Sequence, residues 1–253
     1  MAARPPHRQN RVWRSCLIFW VMFKRLWRPL GQFFAQRWGR LLALALVTAV
    51  VVVAIWNREH DWLYAFRLPE RYPEGELKGQ DYPLHLMARE FSFWGDFVPG
   101  TIPLFLVLWI VASWRGRRQW QRAAVAVLMA AALAGITANA FRLTLGRPRP
   151  SMLLEPGFYG FKLESGYHGF PSGHAATAFG TAVPLLFVNP PLGVAATLLA
   201  GGVGWSRMQL ERHYPSDILV GALLGITFGV ALGSRFVRPR RGVFRIKKPP
   251  PRD

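Results

Sequence analysis

Arg142–Pro150 reads RLTLGRPRP, Pro171–His174 reads PSGH, and Ser206–Asp217 reads SRMQLERHYPSD. Each polar island abuts a long apolar run. Charged and imidazole side chains at the ends of membrane-length helices are expensive unless they face one another or a ligand. The three islands therefore predict a single site, and the apolar runs predict the scaffold that assembles it.

Those runs are Leu41–Trp56, Val98–Trp114, Trp120–Phe141, His174–Val188, Leu192–Trp205 and Ser216–Gly233. Read as helices they give an all-α, polytopic membrane protein, a six-transmembrane helix bundle. The first run has 16 residues and is short for a bilayer, but Arg40 and Asn57 can snorkel at its ends. The third is rich in Ala, and the sixth carries Gly221, Gly225 and Gly229 at intervals of four. Small residues in such rows let helix backbones approach closely.

The net charge of +19 raises the question of nucleic acid. The charge is segregated along the chain, however. Residues 1–40 hold nine Arg/Lys, 115–122 four and 234–253 eight, against one acid, Asp253. Residues 57–97 instead hold eight acids against five bases. Such alternation is what the positive-inside rule produces in a multi-pass protein, so nucleic acid is set aside as a partner. Three segments follow. Residues 1–40, which mix Arg with Trp and Phe, are expected on the cytoplasmic side as an interfacial helix or a basic tail. Residues 41–233 form the membrane core, including an outer segment 57–97 with an amphipathic helix over Tyr82–Phe97. Residues 234–253 are a basic cytoplasmic tail. With both termini inside, segments 57–97, 142–173 and 206–216 share the outer side, so all three islands meet on one face.

Cys16 is the only cysteine, which excludes an intramolecular disulfide. The apolar run after it is short, ends at Lys24-Arg25 and has no small-x-small cleavage site, so it is not read as a signal peptide.

Arg142, Arg149 and Arg207 supply guanidinium forks suited to phosphate oxygens. Ser172 is a natural N-cap for the fourth helix, and Gly173 lets a ligand come near the backbone. The N–H groups of that helix start form an anion site with His174 on its rim. His213 and Asp217 are four residues apart, so one helical turn brings carboxylate and imidazole together. A carboxylate accepting one ring N–H leaves the other nitrogen as nucleophile or base. A divalent metal at this pair is disfavoured by the excess of Arg and the scarcity of carboxylates; no metal and no cofactor are expected. The parts describe phosphoryl transfer, with one His attacking phosphorus and the other moving a proton.

These residues resemble the three-part pattern of the type-2 phosphatidate phosphatase superfamily, which includes bacterial membrane lipid phosphatases, glucose-6-phosphatase and vanadium haloperoxidases. That pattern is a Lys, six residues and Arg-Pro, then Pro-Ser-Gly-His, then Ser-Arg, five residues, His, three residues and Asp. The chain matches it at Arg149-Pro150, at Pro171–His174, and at Ser206, Arg207, His213 and Asp217. The resemblance covers about residues 98–233. It implies that His213 is the nucleophile, Asp217 its orienting partner and His174 the general acid, with Arg149, Ser172, Gly173 and Arg207 binding the phosphoryl group. One position departs: Arg142 stands where the family has Lys, so its phosphate-binding role carries over less securely.

The expected function is hydrolysis of a membrane lipid phosphomonoester or diphosphate through a phosphohistidine. The expected setting is the outer leaflet of a bacterial inner membrane, with the lipid bilayer as surroundings and a lipid phosphate as substrate. A lipid phosphotransferase using the same intermediate, and a non-enzymatic lipid-binding protein, are the competing readings. In loop 151–170, Phe158, Tyr159, Phe161, Tyr167 and Phe170 either shape substrate entry or pack over the site.

Overall fold

The computed structural model describes residues 42–56, 58–66 and 83–237, together with Gly31, Ala35, Gln36 and Gly39. The interfacial helix expected over 1–40 and most of the basic tail fall outside the described residues. The chain divides into two compact units, Met1–Val47 and Thr48–Asp253. The apolar helix α1 (Leu42–Trp56) contains the boundary; the site lies entirely in the second unit.

Among the described residues the fold is all-helical. After α1 come α2 (Glu59–Phe66), α3 (Pro83–Trp94), α4 (Ile102–Trp114), α5 (Arg118–Leu145), α6 (Gly173–Ala182), α7 (Pro190–Gln209) and α8 (Pro215–Phe236). A π-helical turn, Phe97–Thr101, leads into α4. Residues 67–82 of segment 57–97 lie outside the described ones, and the amphipathic helix expected over Tyr82–Phe97 is α3. Among the described residues, three helical stretches are long and apolar enough to cross a membrane: Phe97–Trp114, Arg118–Leu145 and Pro215–Phe236. The chain is a multi-pass membrane protein. Of the other expected spans, α1 is short, α7 is a continuous 20-residue helix, and only the fourth is broken. α6 stops after ten residues and continues as a 3-10 turn, Val183–Phe187, because Pro184 lacks the N–H that an α-helix needs there.

The core is made of small side chains. Ala130, Ala131, Ala134 and Ala138 of α5 are fully buried, with Ala134 and Ala138 against Ala176 and, from α8, Leu224 and Phe228. The glycine row of α8 faces α6: a Cβ at Gly221 would strike the Ser172 carbonyl, and one at Gly225 would lie 2.5 Å from the Ala176 carbonyl. This close approach carries a direct link, since the Ser172 N–H donates to the Asp217 carbonyl at 2.9 Å. The start of α6 and the start of α8, each bearing site residues, are thereby locked together.

Candidate active site

Four helix ends meet at one end of the bundle. α5 brings Arg142 in its last turn, α6 begins at Gly173-His174, α7 ends with Arg207, and α8 begins just after His213. Ser172 caps α6 as expected, its hydroxyl accepting from the Ala175 N–H at 3.4 Å. The positive fields of Arg142, Arg149 and Arg207 reach both His174 and His213. All eight sequence-predicted site residues therefore belong to one cluster.

His213 is buried in the turn between α7 and α8. Its Nδ1 lies 2.6 Å from the Gly169 carbonyl. A carbonyl can only accept, so Nδ1 carries the proton and Nε2 keeps its lone pair. Nε2 is buried and has no hydrogen-bond partner. Burial first, then the charges of Arg207 and Arg142, hold the pKa of this imidazole well below the ordinary 6.5. The ring is thus neutral and tautomerically fixed, the state a nucleophilic nitrogen requires.

The expected contact with Asp217 is present at 3.7 Å from Nδ1, too long for a hydrogen bond. The physical reason is that both carboxylate oxygens are engaged. Oδ1 accepts from Arg147 Nη1 at 2.5 Å, and Oδ2 accepts the Tyr214 N–H at 2.7 Å, closing a capping box at the start of α8. The Gly169 carbonyl takes the ring N–H instead, and Asp217 stands 3.7 Å away without bonding it.

Arg147 was not singled out from sequence, although it sits inside the first island. It is fully buried between the rings of Trp56 and Tyr214, at 4.3 and 4.6 Å from their centroids. Its Nη1 also donates to Ser216 Oγ at 2.7 Å, and its Nη2 pairs with the buried Glu59 of α2. Glu59, 88 residues away in sequence, has no local signal beyond belonging to the acid-rich segment.

Arg142 is held on two sides. Its Nε donates to the Pro171 carbonyl at 2.9 Å and its Nη1 to Asn139 Oδ1 at 3.1 Å. Its Nη2 stands 2.5 Å from where a Cβ on Gly173 would be, so any side chain there would displace the guanidinium from the helix start. With Nε and Nη1 tied to the protein, Arg142 points one edge at the site, much as a Lys would. Arg207 is steadied by Ser92 of α3, whose hydroxyl accepts from its Nη1. The Nε atoms of Arg149 and Arg207 are buried without partners. Asp96 places a carboxylate 3.7 Å from His174 Nε2. Ser92 and Asp96 lie outside the three islands, and nothing in their local sequence marks them.

Loop 151–170 folds back over the end of α5, with the Tyr159, Gly160 and Lys162 N–H groups donating to the carbonyls of Gly146, Leu145 and Leu143. Phe158 packs between Trp56 and Phe170, at 5.3 and 5.4 Å between ring centroids, and Tyr159 packs on Tyr167 at 5.6 Å. Phe161 remains 66% exposed. Four of the five aromatic residues therefore make ring contacts, while Phe158 and Tyr159 remain about half exposed.

The family model described as the PAP2 superfamily matches residues 123–240. A decaprenylphosphoryl-5-phosphoribose phosphatase of Mycobacterium tuberculosis is 31% identical over 176 residues, covering 66% of this chain and 94% of that protein. A lipid A 1-phosphatase of Rhizobium johnstonii is 36% identical over 109 residues, 41% of this chain and 44% of the relative. The chain thus matches under half the length of that relative. A crystal structure of a transmembrane PAP2-type phosphatidylglycerolphosphate phosphatase from Bacillus subtilis shares the fold, with a TM-score of 0.55 and 19% identity over 76% of this chain and 92% of that one.

Proposed function

The chain belongs to the PAP2 superfamily, and from that premise we propose that it is an integral-membrane phosphatase that hydrolyses a lipid phosphate through a phosphohistidine on His213. The observation that carries this reading is the state of His213: Nδ1 anchored to Gly169 at 2.6 Å, and Nε2 buried and without a hydrogen-bond partner.

In the proposed reaction, Arg142, Arg149, Arg207 and the N–H groups at Gly173-His174 hold the phosphoryl oxygens and stabilise the charge that spreads over them in the transition state. Nε2 of His213 attacks phosphorus, forming an N–P bond as the P–O bond to the lipid breaks. Protonated His174 gives its proton to the departing lipid oxygen. Asp96, 3.7 Å from Nε2, and the two negative charges of a bound phosphate dianion favour the charged form of His174 in the substrate complex. Water then attacks phosphorus, gives a proton to His174, and breaks the N–P bond, releasing phosphate and restoring His213. Asp217 stabilises the imidazole when it becomes cationic. The nearby carboxylates Asp217 and Glu59 are already taken by Arg147, which leaves the guanidiniums as the groups available to bind phosphate.

The charge segregation along the chain supports six spans, cytoplasmic termini and a site facing the outer leaflet of a bacterial inner membrane. The relative matched over most of its length is named for a polyprenyl-linked sugar phosphate, and others for lipid A. A phosphomonoester on a polyprenyl-linked sugar is therefore the first substrate to try, with lipid A, phosphatidate and phosphatidylglycerol phosphate beside it. Purified protein in nanodiscs should release phosphate from at least one of them, and His213→Ala should abolish it. Labelled phosphate appearing on an acceptor lipid instead of in solution would assign a phosphotransferase.

A further inference from the structure

The turn that joins α4 to α5 lies at the end of α5 opposite Arg142. From Trp120 to Arg142 the helix places about 33 Å between this turn and the reacting residues. A groove of about 290 Å³ opens there. Val107, Val111 and Ala112 of α4, with Trp120 of α5, line one part of it, and Arg115 and Arg117 of the turn line the other.

The two parts are arranged along the helix. Val107, Val111 and Arg115 succeed one another every fourth residue, so they form a row on one face of α4 and its cap. The row is about 12 Å long, close to the roughly 15 Å of hydrocarbon in one leaflet. It is apolar at one end and cationic at the other. The turn that carries the arginines is closed by its own backbone: the Arg115 N–H donates to the Val111 carbonyl at 3.0 Å and the Arg117 N–H to the Ala112 carbonyl at 2.8 Å. Gln121 Nε2 donates to Ser113 Oγ at 3.0 Å across it. Trp114, 83% exposed beside the turn, and Trp120 in the groove suit the headgroup level of a bilayer.

Arg115, Arg117, Arg118 and Arg122 are all exposed, and none has an ion pair among the described residues. No Asp or Glu occurs between residues 97 and 154. Nor do the ends of the chain bring complementary charge: residues 1–40 hold nine Arg/Lys and no acid, and 234–253 hold eight against Asp253 alone. An occupant that satisfies the groove must therefore supply both an anion and a hydrocarbon.

We propose that this groove binds one anionic phospholipid, its phosphate between Arg115 and Arg117 and an acyl chain along Val111 and Val107, so that the lipid clamps α4 to α5. The site is remote from the catalytic cluster, and the proposal stands independently of the phosphatase reading.

The test is native mass spectrometry of the full-length protein released from detergent micelles. The micelles carry phosphatidylglycerol, or phosphatidylcholine with the same acyl chains, with and without inorganic phosphate. The unmodified protein should retain one phosphatidylglycerol in preference to phosphatidylcholine, and inorganic phosphate should not displace it. Arg115→Gln/Arg117→Gln should weaken that binding by about 25-fold, about fivefold for each arginine. Arg118→Gln/Arg122→Gln removes the same charge from the same turn without touching the groove, and should weaken it far less. Equal losses from the two pairs would overturn the proposal, since they would mean diffuse attraction to a basic surface. Phosphatidylglycerol held undiminished by Arg115→Gln/Arg117→Gln would place the lipid elsewhere and overturn it too. So would displacement by inorganic phosphate, or equal retention of both lipids by the unmodified protein. The comparison of lipids needs no variant, and it stands even where a substituted protein does not fold.

Discussion

Arg147 Nη1 lies 2.5 Å from Asp217 Oδ1, and neither side chain is exposed. With Glu59 on its other side, this guanidinium joins α2 and the start of α8 through a buried, doubly paired charge. Removing one partner of a buried ion pair strands the other and costs about 3–5 kcal/mol. Arg147→Ala strands two carboxylates and should lose at least that much in denaturant unfolding of the detergent-solubilised protein. Glu59→Gln leaves the Arg147–Asp217 pair intact and should lose on the order of 1 kcal/mol. Equal, small losses from both would show that the network is not buried as described.

The depressed pKa of His213 has a consequence for stability. An unfolded chain protonates this imidazole near its ordinary value of about 6.5, while the folded protein keeps it neutral. Its contribution is therefore flat above pH 6.5 and turns against the folded state as pH falls below it. The added slope is up to about 1.4 kcal/mol per pH unit. The difference in unfolding free energy between the unmodified protein and His213→Asn, followed from pH 8 to 5, should show that slope. A pH-independent difference would mean that His213 takes a proton in the fold.

Much of this was legible in the sequence because it depends on local spacing. The positions of Arg142, Arg149, Ser172–His174, Arg207, His213 and Asp217 follow from helix ends. The α6–α8 approach follows from glycines every fourth residue. What was not legible depends on partners brought from afar. A backbone acceptor such as the Gly169 carbonyl has no residue code, since every residue carries one. Arg147 and Glu59 look like two surface charges until the fold brings them together across a sequence separation of 88. Ser92 and Asp96 belong to a segment whose amphipathic pattern signals a surface helix and says nothing of what its polar face touches.

Arg142 differs from the Lys of the resembling pattern, and its bonds indicate what that changes. Arg142→Lys keeps the charge but loses the anchors to Pro171 and Asn139. It should retain kcat/KM within about tenfold while losing about 1–3 kcal/mol of stability, the worth of hydrogen bonds to a charged group. Arg142→Ala should also raise KM sharply. A Lys variant as inactive as the Ala variant would show that both prongs of the guanidinium grip substrate.

If His174 is the proton donor, its importance should depend on the leaving group. His174→Ala should lower kcat about 10²–10⁴-fold for alkyl phosphates, whose alkoxides need a proton. With p-nitrophenyl phosphate, whose p-nitrophenolate leaves readily without a proton, the first step should be nearly unaffected in a burst experiment. Equal losses on both substrates would assign His174 to binding.

The central claim is that His213 carries the phosphoryl group, and trapping the intermediate tests it most directly. Protein mixed with ³²P-labelled substrate and quenched in base, which preserves a phosphohistidine, should carry label on the peptide containing His213. The label should persist or accumulate in His174→Ala and vanish in His213→Ala. Phosphate release at an undiminished rate by His213→Ala, or label on another residue, would contradict the account.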